Sequence, residues 1–331
     1  MEEAGFVQSC AAHHSENPGA LWIEAMRAGD FATAWRVNDG VLASRDPALQ
    51  DDPSLPYHLR WVWDGRSFDG SDVLVRCYHG LGDTIQFCRY LAPLRARVRS
   101  LALEVQPELA PLLATVPGPD RLIPFQQDDP APPSECDLEI MEVAHALRLA
   151  PDPAPYLLPG SRPPMRNADR VEVGLCWRAG NWLPERSIPL SLLAPLAALQ
   201  HVRLTNLQRG PGAAELLQPG APAVANPGDD STDILRTARL ILGLDLVVTV
   251  DTMVAHLAGA LGVPVWLLLM AEPDWRWLAG GRSSPWYASV RKYRQRVPGD
   301  WSDPVAELTQ DLTRLADDHR LAGTRGHPKG L

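Results

Sequence analysis

The fold is decided by one stretch of the sequence, Leu244-Asp-Leu-Val-Val-Thr-Val-Asp-Thr-Met-Val-Ala-His-Leu-Ala-Gly-Ala-Leu-Gly262. Its first part, Leu246–Val250, is a short apolar run that predicts a strand. Its second part, Thr252–Leu261, predicts a helix that begins directly after the strand, with Asp251 at the junction. A strand followed at once by a helix is the repeating unit of a parallel α/β sheet.

The same alternation continues on both sides of this stretch, in two blocks. The first block contains predicted strands at Val73–Cys77, Leu101–Val105 and Arg121–Phe125 and predicted helices at Thr84–Leu94 and Glu108–Val116. The second contains further strands at Val171–Trp177, Val202–Leu207 and Val263–Leu269 and helices at Leu190–Leu199 and Thr232–Leu240. Ligands of open parallel sheets bind outside the carboxyl ends of the strands. We therefore expect two α/β units that face a cleft, with the site residues directly after strands.

Proline content and local pattern set the expected domain limits. Six prolines between residues 151 and 170 predict a linker. Residues 28–35, Ala-Gly-Asp-Phe-Ala-Thr-Ala-Trp, resemble one tetratricopeptide-like helical hairpin, which cannot bury its own face and must dock elsewhere. The expected organisation is a disordered tail at 1–20, the hairpin and a connector at 21–70, a first α/β domain at 71–150, the linker at 151–170, a second α/β domain at 171–298 and a C-terminal segment at 299–331.

Composition excludes several classes of protein. The chain has 331 residues, of which 45% are hydrophobic, and its formal net charge of −9 argues against nucleic acid as a partner. The longest apolar run, near 261–271, is too short for a transmembrane segment, although peripheral association with a membrane stays open. Met1-Glu2-Glu3 does not begin a signal peptide, and five scattered cysteines fit reduced thiols. We therefore expect a cytoplasmic protein.

Phosphate and metal chemistry are limited by the residues that the chain lacks. Only Lys292 and Lys329 of its 31 basic residues are lysines, and neither belongs to a phosphate-binding Gly-Lys-Ser/Thr loop. Neither His-Glu-x-x-His nor Asp-x-Asp is present, so we expect no metal site and no cofactor. If a diphosphate binds, arginines and helix N-termini must neutralise it.

A glycine-rich loop follows the first strand. Gly80 and Gly82 allow the backbone to approach a ligand closely, and a helix N-terminus that offers free N–H groups follows them. As a dinucleotide fingerprint the loop is poor, because Ile85 occupies the third glycine position; Glu104 would then be the ribose-binding acid. The alternative interpretation is structural: the glycines shape a turn and Asp83 caps the helix.

Three further clusters follow strands of the second block, and each has a plain structural alternative. Thr252 and His256 lie one helical turn apart, so both can face the cleft. The structural alternative is that Thr252 caps the helix and that His256 is a core histidine whose hydrogen bonds are made within the protein. Arg178 and Arg186 are candidate phosphate clamps, or ordinary surface arginines. Gln208 also directly follows a strand.

Two groups of arginines lie outside these clusters. Between Arg276 and Arg296 the chain is basic and aromatic, which indicates either stacking on bases or sugars or a packed, arginine-covered surface. The set Arg89, Arg95, Arg97 and Arg99 is interpreted as a solvated helix face.

Four stretches, taken together, resemble bacterial glycosyltransferases of family 9, the heptosyltransferase-like class, and most closely its branch fused to tetratricopeptide repeats. They are Tyr-His-Gly-Leu-Gly-Asp-Thr-Ile-Gln-Phe-Cys-Arg-Tyr-Leu at 78–91, Gly-Leu-Cys-Trp-Arg-Ala-Gly-Asn at 174–181 with Arg-Ser-Ile-Pro-Leu at 186–190, the stretch 244–262 quoted above, and Asp-Trp-Arg-Trp at 274–277. They occur in the family's order, and the resemblance covers roughly residues 55–300.

The resemblance implies a GT-B fold, with two Rossmann-like domains facing a cleft and a C-terminal helix that crosses back. It implies inverting, metal-independent transfer of a sugar from a nucleotide-sugar donor bound on the second domain. Asp83 would be the general base, and Gly80, Gly82 and Gln86 would belong to the loop on the acceptor side. The implied donor-binding residues are Trp177, Arg178, Gly180, Asn181, Arg186, Gln208, Asp251, Thr252 and His256.

The sequence departs from the family's pattern at two positions of the implied donor site. Met253 stands where a glycine usually follows the Asp-Thr pair, and no lysine matches the one that contacts phosphate in the family, so Arg186 would have to serve. The acceptor is left open between a glycan, a lipopolysaccharide core and a protein. The alternatives to a transferase are a nucleotide-sugar epimerase of the same fold, a non-catalytic nucleotide-sugar or partner-binding module and, more distantly, an NAD-dependent enzyme.

Overall fold

The computed structural model of the protein describes residues 17–160, 169–180, 182–226 and 233–325, with side chains to residue 321. The predicted site residue Asn181 and the predicted helix start Thr232 lie outside the described residues. The same holds for residues 1–16 of the predicted tail and residues 161–168 of the predicted linker.

The chain opens with a helical hairpin, formed by α1 (Pro18–Ala28) and α2 (Phe31–Ser44). Helix α1 begins inside the segment predicted to be a disordered tail, because the Asn17 side chain accepts a hydrogen bond from the N–H of Gly19 and Pro18 fits the first helical turn. Gly29 ends α1 in the left-handed conformation with φ of 75°, and Asp30 caps α2. The hairpin docks on both α/β units: the rings of Trp22 and Trp275 meet edge to face at 5.0 Å on the second unit, and Asp39 of α2 lies 2.9 Å from His145 of the first.

The first α/β unit is a four-stranded parallel sheet in the order β3-β2-β1-β4. Its strands are β1 (Asp72–Arg76), β2 (Ser100–Val105), β3 (Arg121–Pro124) and β4 (Cys136–Glu139), and its helices are α3 (Leu81–Phe87), α4 (Leu91–Arg95), α5 (Ala110–Leu113) and α6 (Glu142–Leu147). Val73 of β1 pairs with Leu101 of β2 and with Cys136 of β4. The edge strand β4 was not predicted from the sequence, because its two acidic residues interrupt the apolar pattern.

The second α/β unit is a five-stranded parallel sheet in the order β6-β5-β7-β8-β9. Its strands are β5 (Val171–Cys176), β6 (Val202–Asn206), β7 (Leu246–Val250), β8 (Val265–Leu269) and β9 (Val290–Arg294), and its helices are α7 (Ala194–Ala197), α8 (Ile234–Leu242), α9 (Met253–Ala260) and the long C-terminal α10 (Ser302–Arg325). The expectation of two parallel α/β units is confirmed. Among the described residues, no helix is long and apolar enough to cross a membrane.

Three predicted helices are shorter than the sequence pattern indicated. The stretch predicted as one helix at 84–94 contains α3, a 3-10 turn at Cys88–Tyr90, and α4. The helices predicted at 108–116 and 190–199 contain only α5 and α7 as α-helix. Each of α4, α5 and α7 carries a proline in its first turn. Proline has no N–H, and the N–H groups of the first turn make no hydrogen bond within the helix, so proline is tolerated there and favours the start of a helix.

Helix α10 packs on the outer face of the second sheet. Its buried residues Val305, Leu308 and Leu312 recur at helical spacing and share one apolar core with the strands of that sheet. The buried Asp311 accepts a hydrogen bond from Tyr293 Oη of β9, at 2.8 Å, and pairs with Arg291. The described helix therefore stays on the second unit, where its apolar stripe is covered, instead of crossing back to the first.

A buried ion triad joins three strands of the first sheet. Arg76 of β1 is 2% exposed and lies 2.8 Å from Glu104 of β2 and 2.7 Å from Asp137 of β4. The second oxygen of Glu104 accepts the N–H of Ala131 at 2.6 Å. Glu104 is thus committed to the sheet, which removes the candidate ribose-binding acid of an NAD-dependent enzyme.

We expect Arg76→Ala to lower the free energy of unfolding by about 3–5 kcal/mol, because it leaves the buried Glu104 and the largely buried Asp137 without their cation. Chemical denaturation measures the change. Arg97→Ala is the matched control, since the ion pair between Arg97 and Asp69 lies at the surface and should contribute little. Equal losses in the two variants would contradict the prediction.

Candidate functional site

A cavity of about 950 Å³ lies between the carboxyl ends of the two sheets. On one wall, the loop after β1 and the start of α3 contribute Tyr78 to Asp83. On the other wall, the segments that follow β5, β6, β7 and β8 contribute Arg178, Arg209, Asp251 and Arg276 among others. Convergence of strand ends thus brings residues such as Asp83 and Arg276, 193 positions apart in the sequence, to one cleft.

The glycine-rich loop forms the first wall. Gly80 precedes α3, and its N–H donates to Asp83 Oδ2 at 3.0 Å, so Asp83 does cap the helix. A Cβ atom at Gly82 would lie 3.0 Å from His256 Cδ2 and 3.5 Å from Met253 Cα. Gly82 therefore permits α3 to pack closely on α9 of the second unit.

The guanidinium of Arg276 spans the cleft. Its Nη2 donates to Asp83 Oδ1 at 2.5 Å and its Nε to Gln86 Oε1 at 2.7 Å, both on α3. Its Nη1 donates to Asp274 Oδ1 at 2.9 Å in its own loop, and the guanidinium lies 4.2 Å from the centroid of the Trp275 ring. Burial lowers the pKa of Arg276, but the charges of Asp83 and Asp274 outweigh burial and raise it, so the clamp is cationic.

Helix α9 presents its N-terminus to the cleft. Asp251 directly follows β7, and Thr252 caps the helix by accepting the Val254 N–H at 3.2 Å. Arg186 Nη1 lies 3.5 Å from Asp251 Oδ2, while its buried Nε has no hydrogen-bond partner. Burial raises the pKa of Asp251, although the charge of Arg186 opposes it. The free N–H of Arg186 and the helix N-terminus together suit an anion.

The loops after β5 and β6 are tied together by Gln208. Its Oε1 accepts the N–H of Trp177 at 3.1 Å and that of Arg178 at 2.7 Å. The side chain of Arg178 is paired with Glu215, which also accepts Trp177 Nε1 at 3.2 Å. The charge of Arg178 is thus partly committed within the protein, unlike that of Arg209, whose buried Nη2 has no hydrogen-bond partner.

The imidazole of His256 is buried at the meeting point of α3 and α9. Its Nδ1 lies 2.9 Å from Tyr287 Oη, and its ring stacks on Trp277 with centroids 5.3 Å apart. Burial, reinforced by the charges of Arg276 and other arginines, holds its pKa well below the ordinary value. His256 is therefore neutral at neutral pH, and it is both a satisfied histidine and part of the cavity lining.

Most of the predicted site residues meet in this cavity, and two described ones do not. The lining contains Gly80, Gly82, Asp83, Arg178, Gly180, Arg186, Gln208, Asp251, Thr252 and His256. Trp177 was expected to line the donor site, but its side chain is fully buried in the core of the second unit. Gln86 is also fully buried, and it serves the Arg276 clamp instead of facing the cleft.

Several lining residues were not among the predicted site residues. They are His58, Leu59, Tyr78, His79, Leu81, Met141, Cys176, Trp182, Leu207, Arg209, Met253, Val254, Asp274, Trp275 and Arg276. Arg276 stood in a quoted motif, but nothing in the spacing of Asp-Trp-Arg-Trp indicates that its partner is Asp83.

Of the two interpretations of the basic, aromatic stretch from Arg276 to Arg296, the structure favours the packed one. Trp277, Trp286, Tyr287 and Tyr293 are buried, and Lys292 donates to the carbonyl oxygens of Trp277 and Gly280. Arg89, expected on a solvated helix face, is instead held between the units: its Nη1 donates to the carbonyl oxygen of Trp286 at 2.8 Å.

Comparisons with known proteins identify the fold and one distant relative. No protein-family model matches the chain. Protein FlbA of Caulobacter vibrioides is 27% identical over 345 residues, covering 89% of this chain and 55% of FlbA. The chain thus spans about half the length of this curated relative.

Two solved structures share the architecture over nearly their whole length. A glycosyl transferase family 9 protein from Veillonella parvula superposes with a TM-score of 0.52 at 12% identity, covering 78% of this chain and 99% of that one. The ADP-heptose LPS heptosyltransferase II of E. coli gives 0.51 at 16% identity, covering 76% and 99%. At these identities the likeness concerns the fold, and the predicted GT-B architecture is confirmed.

We expect Arg276→Ala to lower the free energy of unfolding by about 1.5–3 kcal/mol, the usual contribution of hydrogen bonds to charged groups. The reason is that the variant leaves Asp83, Gln86 and Asp274 without their common donor. Arg209→Ala is the control, because it removes a guanidinium from the same cavity without breaking such a cluster. Urea unfolding of both variants checks this, and an unchanged Arg276→Ala stability would contradict the clamp.

Proposed function

We propose that the protein is a glycosyltransferase that moves a sugar from a nucleotide-sugar donor to a hydroxyl acceptor, with inversion and without a metal ion. One observation carries the proposal: Asp83 and the anion-suited group of Arg186 with the N-terminus of α9 line one cavity from opposite walls. A hydroxyl activated by the first can then attack a sugar whose diphosphate is held by the second.

The donor would be held through its diphosphate by the second unit. Arg186 has an unpartnered N–H, Arg209 has another, and the capped N-terminus of α9 adds the positive end of a helix dipole. Arginine forks pair with phosphate oxygens in two parallel hydrogen bonds, which compensates for the missing lysine. Met253 stands in place of the family's glycine and lines the cavity. Its side chain would leave the diphosphate less room to approach the backbone than a glycine does. The name of the E. coli heptosyltransferase cites ADP-heptose, so a nucleoside-diphosphate sugar is the donor class that we propose.

Asp83 would act as the general base. It takes the proton of the acceptor hydroxyl while the hydroxyl oxygen bonds to the anomeric carbon, and the bond from that carbon to the diphosphate breaks with its electron pair leaving on the diphosphate. Asp83 already accepts from Gly80 and Arg276, but each carboxylate oxygen has two lone pairs, so acceptor capacity remains.

We also propose the assignment of the domains. Residues 71–150 would form the acceptor side and 171–298 the donor side, with the hairpin as a reduced tetratricopeptide-like unit, in a cytoplasmic protein. The acceptor would be a glycan, a lipopolysaccharide core or a protein hydroxyl.

A nucleotide-sugar epimerase is the second candidate, because carboxyl groups line the cavity on both walls, Asp83 on the first and Asp251 on the second. Asp251 is paired with Arg186, which suits binding better than proton transfer. Incubation with a panel of nucleotide sugars separates the candidates: free nucleotide indicates transfer or hydrolysis, an isomerised sugar indicates epimerisation, and binding without conversion indicates a non-catalytic module.

We expect Arg186→Ala to weaken donor binding by about 1.5–3 kcal/mol, because a charge-assisted contact to phosphate is lost. Calorimetric titration with nucleoside-diphosphate sugars in the presence of EDTA measures the change and tests metal independence together. Arg203→Ala, which removes an exposed arginine of β6 that pairs with Glu172, is the control. Unchanged affinity in Arg186→Ala would reject the assignment, and binding only after Mg²⁺ addition would reject metal independence.

We expect Asp83→Asn to lower turnover by about 10²–10⁴-fold while donor affinity is kept, because asparagine retains the cap but cannot take a proton. The variant also weakens the pairing with Arg276, so Asp274→Asn serves as control. That change removes the other carboxylate from the same guanidinium and leaves the proposed base in place. Near wild-type turnover in Asp83→Asn, or an equal loss in Asp274→Asn, would show that Asp83 is structural.

A further inference from the structure

A second cavity, of about 360 Å³, lies beside the cleft, and we call it the hairpin chamber. It is enclosed by the helical hairpin, the connector at 58–63 and the carboxyl edge of β4. Its lining shares five residues with the cleft, namely His58, Leu59, His79, Met141 and Trp275. Because His79 lies in the loop that leads to Asp83, the chamber adjoins the cleft on the side of the proposed base.

The walls of the hairpin chamber are unusually rich in indole rings. They come from α1, α2, the connector and the loop after β8, and they are Trp22, Trp35, Trp61, Trp63 and Trp275. Trp22 Nε1 is buried without a hydrogen-bond partner, so the wall contains an unused donor. Flat apolar faces with polar edges suit a ligand that is itself apolar on its faces and polar at its rim.

The charged groups in the chamber already have partners, and the partner of Arg60 is Asp51, which lies 3.4 Å away and outside the lining. His79 Nδ1 lies 2.9 Å from Glu139, and Arg45 Nη1 lies 3.8 Å from Glu142. Burial raises the pKa of Glu142 to about 7, which moderates its negative charge further. A cation or an anion therefore finds no unmatched partner here. Hydroxyl groups, which both donate and accept, match the carboxylate oxygens, Asn38 and the free indole N–H.

We propose that the hairpin chamber binds one saccharide ring of the acceptor, so that the acceptor of the proposed transfer is a glycan. The C–H faces of a pyranose would stack on the indole rings, and its hydroxyls would hydrogen-bond to the polar groups. The volume is at the lower end of the roughly 300–1,000 Å³ of small-molecule sites, which suits a single ring. An acyl chain would leave the buried Trp22 Nε1 without a hydrogen bond. The inference rests on the proposed function, because only a transferase needs an acceptor beside Asp83.

Ligand-observed NMR with methyl glycosides of glucose, galactose, mannose and N-acetylglucosamine tests the proposal on the full chain. We expect saturable binding of at least one glycoside, weakened at least tenfold in Trp61→Ala. Asn38→Trp, which fills the chamber from α2, should abolish the binding and covers the case in which Trp61→Ala does not fold. Trp266→Ala removes an indole from the second sheet, outside both cavities, and should leave the binding unchanged.

Nucleotide binding, followed by thermal shift with ADP, UDP and GDP on the same samples, separates this proposal from the proposed function. Nucleotide binding without binding of any glycoside would overturn the saccharide site and leave the transferase standing. Glycoside binding without any nucleotide binding would support the ring site and count against an acceptor role. Binding of serine- or threonine-containing peptides in place of the glycosides, lost in Trp61→Ala, would make the acceptor a protein and overturn the proposal.

Discussion

The arrangement of the cleft depends on one largely buried guanidinium. Arg276 belongs to the loop after β8, yet two of its three groups of N–H donors reach Asp83 and Gln86 on α3 of the other unit. Because the guanidinium is planar and permanently charged, this contact fixes both the distance between the loop and α3 and the orientation of the Asp83 carboxylate. It brings together the two walls and orients the carboxylate that we propose as the base. Beside it, Gly82 lets α3 approach α9, and Arg89 adds bonds to the carbonyl oxygens of Trp286 and Asp152.

These contacts also decide the electrostatics of the cavity. Arginine charges at the contact between the units help to keep His256 neutral, and Glu215 takes up part of the charge of Arg178. Donor capacity remains at Arg186 and Arg209, close to the N-terminus of α9. The two walls therefore differ in chemistry: Asp83 is the carboxylate of the first wall, whereas the second wall combines the carboxylates of Asp251 and Asp274 with the anion-suited donors. That difference, more than the fold, supports a transferase.

The sequence predicted the helices and strands best where an apolar run ended at a polar residue. The strand at 246–250 and the residues after it were located in this way, because a buried strand must be apolar and its end must turn. The edge strands β4 and β9 were missed, since their charged side chains are neutralised by partners distant in sequence: Asp137 by Arg76, and Arg291 by Asp311. Local pattern contains no information about such partners.

What the sequence by itself determined is the repeated strand-helix unit, the two blocks and the set of residues that follow strands, because hydrophobic periodicity and turn chemistry are local. What only the tertiary structure decided is which of those residues face the cleft and which serve the scaffold. Trp177 and Gln86 turn inward, while Arg276 and the hairpin's tryptophans line cavities. The reason is physical: the direction of a side chain depends on what packs against it, and that neighbour belongs to the core of the same unit for Trp177 and to the other unit for Gln86.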